Sequence, residues 1–159
     1  MNTLQKTLVF LKPDTVQRGL VGNILTRLEN KGLKLVAMKM LALKDEVLHE
    51  HYAHVAGRDF FPPMKRFLKS TPVIVMIWEG IDAISVVRKL VGSTNAREAD
   101  IGTIRGDLAM SGQFNMIHAS DSEESATQEI TRFFLPEEIF KYEKSEYLHI
   151  YSEGERKTF

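Results

Sequence analysis

A chain of 159 residues with 43% hydrophobic and 26% charged positions has the composition of one globular domain, long enough to bury a core. Its 21 basic and 21 acidic residues cancel, so no global field draws it to nucleic acid or to an anionic membrane, and any anion must be held by a local cluster. It has no cysteine, which excludes disulfides, a thiolate nucleophile and cysteine metal sites.

The opening stretch "MNTLQKTLVFLKPD" holds only a four-residue apolar run, too short for a signal peptide or a membrane span, so a cytoplasmic protein is expected. Residues 7–11 form a β-prone run that ends at Lys12-Pro13, because proline cannot donate to a sheet ladder. Val21, Ile24, Leu25 and Leu28 recur at i, i+3, i+4, i+7 with Gly32 just beyond, the pattern of an amphipathic helix and its stop. "LKLVAMKMLAL" (33–43) reads as a second strand whose methionines are taken as core. Leu48, His51, Tyr52 and Val55 keep helical spacing over 45–55, and a short helix follows over 61–69. "PVIVMIW" (72–78) is a third strand, with Trp78 as core. Ala83, Val86, Val87 and Leu90 stripe a helix that Asp82 is placed to cap. Residues 92–114 are rich in glycine, lack periodicity and read as a long loop, a feature that is usually functional inside a compact domain. A short strand over 115–119 and a helix from about 122, with Ala126, Ile130 and Phe133 inward, complete the pattern. The order predicts an α/β (α+β) fold: a ferredoxin-like split βαβ with a four-stranded antiparallel sheet, helices packed on it, an extra helical hairpin and the long loop. No repeat or linker divides residues 1–159, so a single domain is expected.

Three cations, Lys12, Arg88 and Arg105, fall where strands or helices meet loops. Arg105 lies in "GTIRGD" (102–107), whose glycines let the backbone turn and approach a ligand. Thr94 in "GSTN" brings a hydroxyl to the same loop. Neither GxxxxGK[ST] nor GxGxxG occurs, so a phosphate site here needs arginine forks and lysine instead of a backbone cradle. Taken singly, each cation reads as ordinary solvated charge. In "NMIHASDS" (115–122) one histidine sits between a strand and a helix start. Alone, His118 reads as a packed, hydrogen-bonded histidine. Its neighbours alter that: Ser120 and Asp121 can cap the next helix with Glu123 or Glu124 as capping-box partner. Glu129 borders the apolar stripe, from which a carboxylate can reach back to orient the imidazole, directly or through Ser120. His51 and His54 stand at i, i+3 without a third ligand at convincing spacing and read as structural. Phe60 in "RDFF" is either a core plug or a stacking platform for a base.

Taken together, "LKPDTVQRGLVGNI" (11–24), "KGLKLVAMKM" (31–40), "HYAH…RDFF" (51–61), "STPVIVMIWEG" (70–80), "GSTN" (92–95), "GTIRGD" and "NMIHASDS" resemble the nucleoside diphosphate kinases, from about residue 5 to 152. The resemblance implies a ping-pong phosphotransferase that moves the γ-phosphate of ATP or another nucleoside triphosphate to a nucleoside diphosphate through phosphorylated His118, with broad base tolerance, maintaining triphosphate pools. By the same matching, Lys12, Tyr52, Arg88, Thr94, Arg105 and Asn115 would bind phosphates and ribose, and Phe60 would stack on the base. Ser120 and Glu129 would support His118. Mg2+ would ride on the nucleotide phosphates, touching Asp121 through water. A homo-oligomer is implied, a hexamer before a tetramer, with no membrane and no dedicated nucleic-acid site. The chain departs from the family pattern at Ala119, where glycine is usual, and at Ala96 and Ile101, where prolines are common. Met64 stands where leucine is frequent, and residues 153–159 form a short C-terminal extension. An RNA-binding module with the same sheet is the competing class, but the aromatic signature K/R-G-F/Y-G/A-F-V-x-F/Y is absent. A silent assembly subunit is disfavoured by the intact His118, Lys12, Arg88, Arg105 and Asn115.

Overall fold

The computed structural model describes residues 3–159. Strand β1 (Leu4–Leu11) is followed by helices α1 (Pro13–Gln17) and α2 (Val21–Asn30), then strand β2 (Lys34–Leu41). Helices α3 (Asp45–His51) and α4 (Phe61–Leu68) form the inserted hairpin. Strand β3 (Val73–Ile81) and helix α5 (Ala83–Val91) lead to α6 (Ile104–Leu108), strand β4 (Ile117–Ala119) and helix α7 (Glu123–Phe133). Two short helices, α8 (Tyr147–Ile150) and α9 (Glu153–Arg156), end the chain. The strands lie in the order β2-β3-β1-β4, and every neighbouring pair is antiparallel. This is the expected split βαβ sheet.

Alternation along the central strands assigns the two faces. Val9, Leu11, Met76 and Trp78 pack with Ile24, Leu28, Ala83 and Val87 on one side. Leu8, Phe10, Val75 and Ile77 pack with Leu48, Leu68 and Phe133 on the other. Both faces are covered, which is why the β3 sequence is almost continuously apolar. No open sheet face remains among the described residues to stack nucleobases. The edge strand β2 is different: Met38 and Met40 are 52% and 59% exposed, so the expectation that its methionines are core fails for these two. Val36 sits at a register shift between Leu35 and Ala37, where the strand bulges.

Local capping departs from the sequence reading at two helices. Asp82 precedes α5 at φ 51°, in the left-handed region, and makes no capping bond. Its carboxylate accepts from Thr3 N at 3.3 Å, and Gln5 Oε1 takes the Ile84 N–H instead, also at 3.3 Å. The cap of α7 is Ser122, whose Oγ accepts from Ser125 N at 3.1 Å. Ser120 and Asp121 do not cap it, and no glutamate closes a capping box there; Glu123 instead accepts from Gln5 Nε2 at 2.6 Å. The segment 92–114 is more ordered than a loop. It carries a 3-10 turn at Ala96–Glu98, with Asn95 accepting from Arg97 N, and helix α6, capped by Thr103. Gly106 explains the tight fold of this segment, because a Cβ there would meet Asp100 O at 2.0 Å.

Candidate active site

His118 sits on β4, where Phe10 of β1 is its register partner. The two rings stack at 4.8 Å and 22°. The approach to β4 is bent at Met116, whose φ of 73° strains a non-glycine backbone by about 1 kcal/mol or more. Helix α1 holds that bend. Asp14 Oδ2 accepts from Met116 N at 2.9 Å, Thr15 Oγ1 donates to Met116 O at 2.5 Å, and Lys12 N donates to the same carbonyl at 2.9 Å.

Behind the imidazole, His118 Nε2 is 3.0 Å from both carboxylate oxygens of Glu129. Ser120 is fully buried; its hydroxyl donates to Glu129 Oε2 at 2.7 Å and accepts from Leu8 N at 3.1 Å. A carboxylate only accepts, so the neutral His118 ring carries its proton on Nε2 and keeps a lone pair on Nδ1. An imidazole held this way is an oriented nucleophile.

In front of it lies a cavity of about 690 Å³. Lys12, Tyr52, Phe60, Arg88, Thr94 and Arg105 line it, joined by Asn115, His118, Asp121 and Glu129. Every residue singled out in the sequence for a direct role therefore faces one space, and Ser120 lies beneath it. Arg105 is buried at 5% exposure and is fixed by carbonyls rather than carboxylates. Its Nε donates to Asn115 O at 3.1 Å, Nη1 to Gly92 O at 3.1 Å and Nη2 to Ile117 O at 2.6 Å. Asn115 accepts from Lys12 Nζ at 2.6 Å while its Nδ2 donates to Thr94 O and Gly112 O at 2.8 and 2.9 Å. Burial, together with the Arg105 charge, lowers Lys12 to about 8. Burial, together with Arg88, lowers Arg105 to about 10. Cations crowded without carboxylate partners are stabilised by an incoming polyanion. Phe60 is 52% exposed, which excludes the core-plug role and leaves its ring available at the cavity beside Met64.

Sequence reasoning missed two neighbours. His51 meets His118 edge-on at 4.6 Å and 75°, and Arg132 Nη1 lies 3.2 Å from His51 Nδ1. Among the described residues, His51, His118 and Glu129 are the group whose ligand atoms, all within 4.8 Å of one another, could hold a metal. Arg132 already donates to the His51 lone pair, so the trio is poorly suited to a cation. The i, i+3 spacing of His51 and His54 could not reveal this, since the other two members come from β4 and α7.

The family model described as nucleoside diphosphate kinase matches residues 5–139. The chain belongs to the nucleoside diphosphate kinase family. It is 56% identical to the nucleoside diphosphate kinase of Parabacteroides distasonis over 152 residues, 96% of this chain and 99% of that one. It is 49% identical to that of Methanothermobacter thermautotrophicus over 94% of this chain and all of the relative. Among solved structures it resembles a halophilic nucleoside diphosphate kinase from Halobacterium salinarum in complex with CDP, with a TM-score of 0.91 and 43% identity, covering 93% of this chain and 99% of that one. It also resembles a transition-state mimic of the Borrelia burgdorferi nucleoside-diphosphate kinase with bound vanadate and ADP, with a TM-score of 0.85 and 38% identity, covering 92% and 96%. This nucleoside diphosphate kinase is thus an enzyme of nucleotide metabolism, a nucleotide-binding transferase. No helix among its described residues is long and apolar enough to cross a membrane.

Proposed function

We propose that the enzyme works by a ping-pong mechanism through phosphorylated His118. The observation that carries this reading is the pinned imidazole, its Nε2 held by Glu129 at 3.0 Å and its ring facing a cavity lined by Lys12, Arg88 and Arg105. Nδ1 attacks the γ-phosphorus of a nucleoside triphosphate, the N–P bond forms, the bridging P–O bond breaks, and its electron pair leaves with the diphosphate. A second nucleoside diphosphate then attacks the same phosphorus, and the N–P electrons return to Nδ1. Lys12, Arg88 and Arg105 neutralise charge on the transferred group, with Tyr52, Thr94 and Asn115 completing the phosphate and ribose contacts. CDP in the Halobacterium structure and ADP in the Borrelia one support a slot that takes both pyrimidines and purines. Phe60 gives that slot a stacking face, which tolerates any base. By exchanging phosphate among nucleotides the enzyme would maintain the triphosphate pools.

The donor set fits Mg2+ carried by the nucleotide rather than a protein cage. Glu129 is committed to His118 and Ser120, which leaves Asp121 as the other carboxylate among those ten cavity residues. Bonds from Ser125 and Ser122 hold Asp121 below the usual carboxylate range despite some burial, so it is anionic and able to take a metal-bound water. The ion would supply charge neutralisation of the phosphates.

We take residues 1–159 as one kinase domain acting in the cytoplasm, with 153–159 as a short extension. Assembly as a homo-oligomer, a hexamer before a tetramer, is supported by exposed apolar side chains on the 92–114 segment, Ile101 at 94% and Met110 at 76%. The mechanism is tested by incubation with γ-labelled ATP. Label that is acid-labile, base-stable and lost in His118→Ala is expected. A variant that kept even a tenth of wild-type turnover would overturn it.

A further inference from the structure

His51 takes no part in the steps above, yet it touches the groups that do. Its ring is enclosed by Phe10, Tyr52, Phe133 and His118. Its Nδ1 lies 4.0 Å from Glu129 Oε1 and 3.2 Å from Arg132 Nη1. Guanidinium only donates, so Nδ1 must accept and the His51 proton sits on Nε2. In the opposite tautomer, Nδ1–H would be directed towards Glu129 and would compete with His118 for the carboxylate that orients it. Arg132 is itself in an ion pair, with Nε 2.9 Å from Glu50 Oε1 and a side chain only 11% exposed, although its Nε–H is not aligned for a hydrogen bond.

We propose that Arg132 is a positioning residue that locks His51 in its Nε2–H tautomer and thereby reserves Glu129 for His118. Protonation is not the variable. Burial, reinforced by His118, Arg132, His54 and Lys12, pushes His51 down to about 2, although Glu129 Oε1 lies 4.0 Å from its Nδ1 and Glu50 Oε1 2.9 Å from Arg132 Nε. What Arg132 decides is which nitrogen of a neutral ring bears hydrogen. The consequence for rate rests on the phosphohistidine reading; the tautomer itself does not.

The test is Arg132→Leu, examined by nitrogen-15 NMR of the imidazoles and by steady-state kinetics. Nδ1–H character should appear at His51 and Nε2–H character should fall at His118. The kcat should drop about tenfold, the equivalent of one weakened hydrogen bond to the reacting group, with KM little changed. Arg132→Lys, which keeps a donor, should restore both readouts. In a His51→Phe background, where no competing tautomer exists, Arg132→Leu should leave kcat unaltered, and melting curves confirm that each variant is folded. An unchanged His51 tautomer in Arg132→Leu, or an equal loss of kcat in the His51→Phe background, overturns the proposal. Failure of the phosphohistidine reading is separately visible as absence of label on wild-type His118.

Discussion

Both carboxylate oxygens of Glu129 stand 3.0 Å from His118 Nε2. This brings together a strand end and a helix face eleven positions apart in the chain, in the service of one proton. In the proposed mechanism, the symmetric contact lets Glu129 fix the tautomer and offset the positive charge that develops on the ring as Nδ1 is phosphorylated. Glu129→Gln keeps the shape but can offer Nε2 either a donor or an acceptor. The expected outcome is a fall in kcat on the order of 100-fold, the low end of the range for removing one preorganised group that stabilises developing charge, with nucleotide affinity nearly unchanged. Single-turnover phosphorylation by ATP measures it, and a rate within twofold of wild type would remove Glu129 from this role.

Ser120 links the carboxylate to the sheet, because its hydroxyl donates to Glu129 and accepts from Leu8 N. Ser120→Ala leaves a buried backbone donor and one carboxylate lone pair without partners. We expect a loss of about 1–3 kcal/mol in unfolding free energy, the penalty for unsatisfied buried polar groups. Denaturant unfolding at pH 7 measures it. The same variant should slow phosphorylation less than Glu129→Gln, since the His118–Glu129 contact survives.

These contacts mark how far the sequence could be read. Strand alternation and helical spacing located the four strands and the principal helices, because each buries a face that must be apolar at its own period. The motif around His118 located Glu129, since eleven residues from a strand end to one helix face is local geometry. Capping was misread at Ser120 and Asp82, where any of several polar residues could serve and packing chose. Ser120 was needed by Glu129 and Leu8, and Gln5, distant in sequence, supplied what Asp82 did not. The exposure of Met38 and Met40 was illegible because β2 is an edge strand, a property of sheet order rather than of local pattern. His51 and Arg132 were illegible for a similar reason: α3 meets α7 only after the sheet has formed.

Lys12 gives a pH signature. Its ordinary value of 10.5 falls to about 8 through burial and the Arg105 charge. In the free enzyme it loses its proton above pH 8, and with it the attraction for phosphate proposed above. The kcat/KM for nucleotide, which reports free-enzyme ionisations, should therefore decline above about pH 8 with a slope of one proton. The stability sign is opposite. Between 8 and 10.5 the unfolded chain binds more protons at this group, so its contribution to stability rises with pH. Lys12→Met should abolish the alkaline limb at greatly reduced efficiency. A wild-type profile flat to pH 9.5 would contradict the assignment.

Assembly is the remaining expectation, and the structure sharpens how to test it. Ala96 opens the 3-10 turn at Ala96–Glu98 and is buried, while Ile101 is almost wholly exposed. Proline is favoured at the first position of a helical turn, so Ala96→Pro suits the backbone provided the buried site admits the ring. Ile101→Pro removes a large apolar side chain that stands free on the single chain. Where the native backbone suits it, each proline should add roughly 0.4–1 kcal/mol by restricting the unfolded chain. If the 92–114 segment packs between subunits, Ala96→Pro should raise the urea concentration at which the oligomer dissociates. Ile101→Pro trades that gain against any contact its side chain makes, so Ile101→Ser is the control that isolates the contact. Sedimentation equilibrium over dilution and urea series separates these effects. A wild-type monomer at micromolar concentration would end the assembly proposal and leave the chemistry of His118 untouched.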